Sequence, residues 1–369
     1  MFRKGVGVIA AGCVWLSVTG AAAAVPAEGE LTVRVSPQAG YVTHVSLKDQ
    51  NFLSKLEDRA IRLPSNAAPI SDTYLSAWND QTHTKTIYTV DQGGSLYDEA
   101  KQQRLELSAS DRSKLLKQVE LARAAHYGRM IPWEEAKQKI ALKDNVKVVD
   151  LETGMAFNAQ RRAGQLHADV QPLTKEDTAI MKRIYKGKWS WHRKAVLVQA
   201  GNQVFAASMH GMPHGGDGIP DNDFSGHFCI HFLGSKTHGS GQADPGHQLM
   251  VLKAAGKLNA IWTQPSPYPI VRTFIIALNL KEFEILKQTY MDSAHEELQY
   301  YMKEQPLIAV NHRKTEDLEG DFSELLAYEL PLKVKLIPAG SAPRDKIMRF
   351  KIMRLSPLDP WKISSIDVQ

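Results

Sequence analysis

The sequence predicts an α+β protein with a β-rich, catalytic-type domain over residues 144–257 that carries one embedded helix, followed by a smaller α+β unit over 270–369. Three observations predict it. Val146–Leu151, Met155–Gln160, Ala195–Val198 and Val204–Met209 are short β-rich runs punctuated by Gly154, Gly164 and Gly201. One helical run interrupts them: Thr174 with Asp177 three residues on makes a capping pair, Ile180, Met181 and Ile184 form an apolar face, and Gly187 ends it. Beyond Pro265, Pro267 and Pro269 a helical run, Thr273–Tyr290, gives way to alternating strands at Leu325–Ile337 and Ile347–Leu355.

The remaining elements follow in chain order. Arg3 and Lys4, the apolar run Val6–Val18 and Ala21–Ala24 before Val25 and Pro26 read as a signal peptide over residues 1–24, cut after Ala24. A lipoprotein cut at Cys13 is the alternative, but the apolar run continues past it through Val14, Trp15 and Leu16. Residues 25–103 read as a loop-rich N-terminal region with alternating segments at Leu31–Val35 and Tyr41–Leu47. Residues 104–143 read as a helical bridge: one helix starts near Ser110 and Asp111, and a second, Trp133–Ile140, is headed by Pro132.

Composition bounds the function. The 369 residues are 43% hydrophobic and 23% charged, enough apolar material for packed cores. The formal charge of +5 includes Arg3 and Lys4 of the leader, and so small an excess argues against nucleic-acid binding. Outside the N-terminus no apolar run reaches the roughly 18–20 residues of a membrane span, so no transmembrane anchor is expected in the mature chain. A secreted protein associated with the cell envelope is the expectation.

Chemistry concentrates between His167 and His247, where 8 of the 13 histidines lie. Cys229, the single cysteine left once the leader is removed, lies among them and has no intramolecular disulfide partner. A thiol attacks only as thiolate and needs an imidazole to take its proton, with N–H groups to hold the oxyanion. His214-Gly215, a flexible loop and then Ser225-Gly226-His227-Phe228-Cys229 bring base and thiol together across a strand pair. His214 fits the spacing of a base better than His210, which lies within the predicted strand and also reads as a satisfied histidine, and both remain candidates. The bland alternative is a buried strand thiol between Phe228 and Ile230.

A second set of ligands is present. His167-x-Asp169, with His227 near in sequence, offers the donors of a zinc site with an open water position, the alternative to a reaction that needs no cofactor. His167 and Asp169 also fit a plain hydrogen-bonded pair on one strand face, or an aspartate that orients the base. Trp189 and Trp191 around Gly187, with Tyr185, line a substrate groove or belong to the core. Asp217, Asp221 and Asp223 lack the ordered spacing of an EF-hand. Arg161-Arg162 reads as a solvated pair.

The order His214-Gly215 and then His227-x-Cys229-Ile230, with 14 residues between His214 and Cys229, resembles the L,D-transpeptidase catalytic domain. That resemblance covers about 110 residues and implies acyl transfer on peptidoglycan stem peptides. Cys229 is then the nucleophile, His214 the base, His227 the motif histidine, and His231 stands at the substrate-contacting position. Phe228 replaces the family's glycine before the cysteine, and His231 replaces its arginine or asparagine. Pro132-Trp133, His167-Ala168-Asp169-Val170, Trp189-Ser190-Trp191 and Gly226-His227-Phe228-Cys229 together are similar to a family of exported, largely uncharacterised Gram-positive bacterial proteins. The closing Trp361-Lys362-Ile363-Ser364 resembles the last strand of nuclear-transport-factor-2-like, cystatin-like cone domains, which implies a cone-like C-terminal unit.

Overall fold

A computed structural model describes residues 29–47, 53, 60–65, 69–79, 84–216, 218–310 and 320–369. The expected leader, Cys13 and Asp217 lie outside the described residues. The chain is a strand-rich α+β molecule built on three antiparallel sheets.

The stretch expected to be loop-rich instead forms a seven-stranded sheet, β1 (Gly29–Val33), β2 (Thr43–Leu47), β3 (Ile61–Pro64), β4 (Thr73–Asn79), β5 (Thr84–Val90), β6 (Leu96–Asp98) and β7 (Gln103–Glu106), in the order β2-β1-β4-β5-β6-β7-β3. Its strands are short and separated by polar stretches, so the run reads as loop although Leu31, Val33, Leu75, Tyr88 and Val90 line a buried face. Helix α1 (Ala109–His126) covers that face with Leu115, Val119 and Ala122. Its cap is Ser108, two residues before the expected start, whose Oγ accepts from the Asp111 N–H at 3.1 Å. Helix α2 (Trp133–Lys139) begins behind Pro132.

The middle of the chain closes into a six-stranded barrel. Strands β8 (Asn145–Asp150), β9 (Ala156–Ala163), β10 (Ala168–Pro172), β11 (Lys194–Ala200), β12 (Gln203–Met209) and β13 (Phe228–His231) run in the order β10-β13-β12-β11-β8-β9, and β9 pairs back to β10. Helix α3 (Lys175–Ile184) sits between β10 and β11, with the Thr174–Asp177 capping box the sequence predicts. Asp177 Oδ1 also accepts from the Asn158 N–H at 2.7 Å and pins the helix to β9. All six strands send apolar side chains into one interior cluster, among them Val148, Phe157, Val170, Val198, Ala207, Phe228 and Ile230. Successive strand residues face opposite sides, so Asp169, Ser208, Cys229 and His231 point away from that interior.

Helix α4 (Pro245–Ala254) packs on the outer face of β11 and β12. After α5 (Asn259–Trp262), the single helix expected over 273–290 is two, α6 (Tyr268–Asn279) and α7 (Phe283–Gln288). Lys281 takes a left-handed conformation at φ +57° between them, a break marked by neither glycine nor proline. Helix α8 (Glu296–Glu304) leads into a four-stranded sheet, β14 (Leu307–Val310), β15 (Ala327–Ile337), β16 (Arg344–Met353) and β17 (Lys362–Val368), in chain order. Trp361 is buried before β17, and its Nε1–H donates to the Pro265 carbonyl at 2.8 Å.

The division expected near residues 257–270 is not a division in packing. Leu197 and Ala206 of the barrel, Met250 and Ala254 of α4, Trp262, Ile270 and Phe274, and Phe350 of β16 belong to one hydrophobic cluster. The outer face of β11–β12 is apolar and needs a cover; α4 supplies it, and α6 packs against α4. No helix among the described residues is long and apolar enough to cross a membrane.

Candidate active site

The site is built on the outer side of three adjacent strands, β10, β13 and β12. Cys229 stands directly opposite Asp169 in the β10–β13 ladder, and Ser208 opposite His231 in the β12–β13 ladder. Between β12 and β13 the chain leaves the barrel and returns through a loop that ends in a two-residue bridge. The His214 N–H donates to the His227 carbonyl at 3.0 Å, and the His227 N–H donates to the His214 carbonyl at 2.7 Å. Two glycines permit that approach. A Cβ on Gly215 would strike the His227 ring, one on Gly226 would strike the His214 carbonyl, and both residues have positive φ.

The bridge sets His214 beside the thiol two residues beyond His227. His214 Nε2 lies 3.4 Å from Cys229 Sγ. On the other side of the ring, Nδ1–H donates to the Met212 carbonyl at 3.0 Å. That bond sets the neutral tautomer, so Nε2 carries the lone pair and faces the Cys229 sulfur. Trp191, half-exposed, lies over this ring with centroids 5.1 Å apart, and His227 meets it at 4.3 Å.

Cys229 itself is 3% exposed. Burial pushes its thiol up, and the Asp169 carboxylate, whose Oδ1 accepts the S–H at 3.9 Å, pushes it further. The resting sulfur is therefore a thiol, and a nucleophile forms there only by transfer of the proton to an adjacent base. Burial alone would raise the Asp169 carboxyl, but the neighbouring His167 and His227 outweigh it and hold it below the usual range. His227 Nε2 lies 3.6 Å from Asp169 Oδ1, and burial lowers its pKa.

The other candidates separate cleanly. His210 Nδ1 accepts from the Met212 N–H at 3.3 Å, and burial drives its pKa down to about 3, so it is a neutral brace for the turn that holds His214. His231, expected at the substrate, is buried at 2% exposure. It stacks on His247 of α4 at 3.8 Å and on His167 at 4.5 Å, because the outer face of β13 is covered by α4 and by the chain before β10. Trp189 packs edge-on to Phe224 at 5.3 Å against the barrel core, leaving Trp191 as the aromatic wall of the site. Arg161, expected in solvent, is buried, with its guanidinium donating to the carbonyls of Lys137, Ile140, Ala163 and Gly164.

Three contributors were not assigned from sequence. The Met212 carbonyl is backbone and leaves no signal in residue types. Gln171 accepts from the Ile219 N–H at 2.8 Å and donates to the Gly226 carbonyl, clamping the loop before Cys229; its signal was the polar period His167-x-Asp169-x-Gln171 alternating with the apolar Ala168 and Val170. His247 caps the stack of imidazoles, and its Nδ1 lies 2.8 Å from the Ser208 hydroxyl. Comparison of the chain with protein-family models, with curated proteins and with solved structures gives no match.

Proposed function

We propose that the protein is an exported cell-envelope enzyme of L,D-transpeptidase type, performing acyl transfer on peptidoglycan stem peptides through Cys229. The observation that carries the reading is the 3.4 Å approach of Cys229 Sγ to a His214 Nε2 whose tautomer is set by the Met212 carbonyl. As Sγ attacks a peptide carbonyl, the S–H proton passes to His214 Nε2. The imidazolium then gives that proton to the departing amine, leaving a thioester on Cys229. A stem-peptide amine or water attacks the thioester with His214 again as base, releasing the product and restoring the thiol. Trp191 supports a role in seating the peptide, since it is the exposed aromatic beside the base.

Incubation with soluble stem peptides and intact-mass measurement tests the reading. A covalent acyl adduct on Cys229 is expected, with formation slowed by about 10²–10⁴ in His214→Ala. Absence of any adduct on the folded protein, across peptides with different third and fourth residues, would overturn it.

A further inference from the structure

The outer face of β10 holds a second constellation that acyl transfer does not use. His167 is 2% exposed, and its Nδ1–H donates to the Lys236 carbonyl at 2.7 Å. In the neutral ring the proton is therefore on Nδ1 and the lone pair on Nε2. That Nε2 is buried and has no hydrogen-bond partner. It lies 3.2 Å from Asp169 Oδ1 without a hydrogen bond between them, so a buried imidazole nitrogen abuts a carboxylate. A buried contact of that kind is costly unless a positive species stands at it.

His238 completes the set. One nitrogen of each histidine and an Asp169 oxygen all lie within 4.8 Å of one another, and the His238 ring meets that of His167 at 4.7 Å. The loop that carries His238 is preformed. Lys236 and Ala243 pair across it, and the Lys236 N–H donates to the Leu166 carbonyl at 2.9 Å, next to His167. A nitrogen, nitrogen, oxygen donor set with a backbone carbonyl on the far nitrogen of one histidine is the ligation chemistry of zinc-class cations. His238 is exposed and offers an entry path, whereas the neighbouring set of His167, Cys229 and His231 is sealed on every member.

We propose that His167 Nε2, Asp169 and His238 bind one divalent cation of the zinc class, with a water in the remaining position. The site differs from the set His167, Asp169 and His227, the alternative the sequence offered, in taking the loop histidine, and it does not depend on the acyl-transfer reading. Cobalt(II) titration of the full chain, stripped with chelator and dialysed, tests it. One equivalent should bind with the visible absorption of a four-coordinate ion and without a thiolate charge-transfer band, and zinc should displace it. His238→Ala, at an exposed position that leaves the fold intact, should weaken binding by more than the roughly 10–100-fold cost of losing an outer partner. Cys229→Ser should leave the affinity unchanged. No saturable binding, or a thiolate band that Cys229→Ser abolishes, would overturn the proposal. Acylation of Cys229 measured with chelator present reports the acyl-transfer reading separately.

Discussion

Asp169 and Cys229 face each other across the β10–β13 ladder, with Asp169 Oδ1 3.9 Å from Sγ, so the thiol has a carboxylate on one side and an imidazole on the other. The carboxylate opposes ionisation of the sulfur, and His214 is positioned to accept its proton. Removing the charge while keeping the shape therefore has a definite sign. In Asp169→Asn, with chelator present, alkylation of the folded protein by iodoacetamide near neutral pH should quicken by about tenfold, the effect of one pKa unit. An unchanged or slower rate would show that burial alone holds the thiol protonated.

Gly226 has φ +81°, and a side chain there would meet the His214 carbonyl. Gly226→Ala should cost roughly 1–3 kcal/mol in denaturant unfolding and also displace His214 from Cys229. Loss of Cys229 acylation greater than the loss of folded protein is the outcome that separates positioning from stability.

Lys253 is buried between Glu152 and Glu282, donating to Glu282 at 2.7 Å and to Glu152. Burial lowers its pKa, but the two carboxylates overcome this and raise it. Lys253→Ala leaves those carboxylates without their cation where the barrel meets α4 and α7, and should cost about 3–5 kcal/mol. A loss below about 1 kcal/mol, read from the shift in denaturant midpoint at constant slope, would mean that water reaches the pair.

His126, the last residue of α1, is fully buried against β2, with Nδ1 2.9 Å from the Thr43 hydroxyl, and burial lowers its pKa to about 4. The unfolded chain binds a proton near pH 6.5 and the folded protein only near 4, so this contribution is complete above 6.5 and is lost as pH falls through that window. It amounts to about 3 kcal/mol at most. His126→Leu should flatten the decline of unfolding free energy between pH 6.5 and 4 by up to one proton. An unchanged slope would assign the acid sensitivity to the other buried histidines.

The sequence alone determined what depends on near neighbours. The period of two in β10, β12 and β13 separates Ala168, Val170, Ala207, Phe228 and Ile230 from Asp169, Ser208 and Cys229, because adjacent strand residues must face opposite sides. The Thr174–Asp177 cap and the Pro132 helix start are legible for the same reason, being satisfied within one turn. Residue types likewise pointed to Cys229, His214 and Asp169 as the places where chemistry collects. Only the tertiary structure decided which of them meet. Asp169 reaches Cys229 through a pairing 60 residues long in sequence, and His214 reaches it through a bridge to His227 that two glycines permit. Burial of His231 and Arg161, the split at Lys281 and the core shared across residues 257–270 arise from what packs on each face. Such choices are made by non-local pairing and by exclusion of water, and no local spacing encodes them.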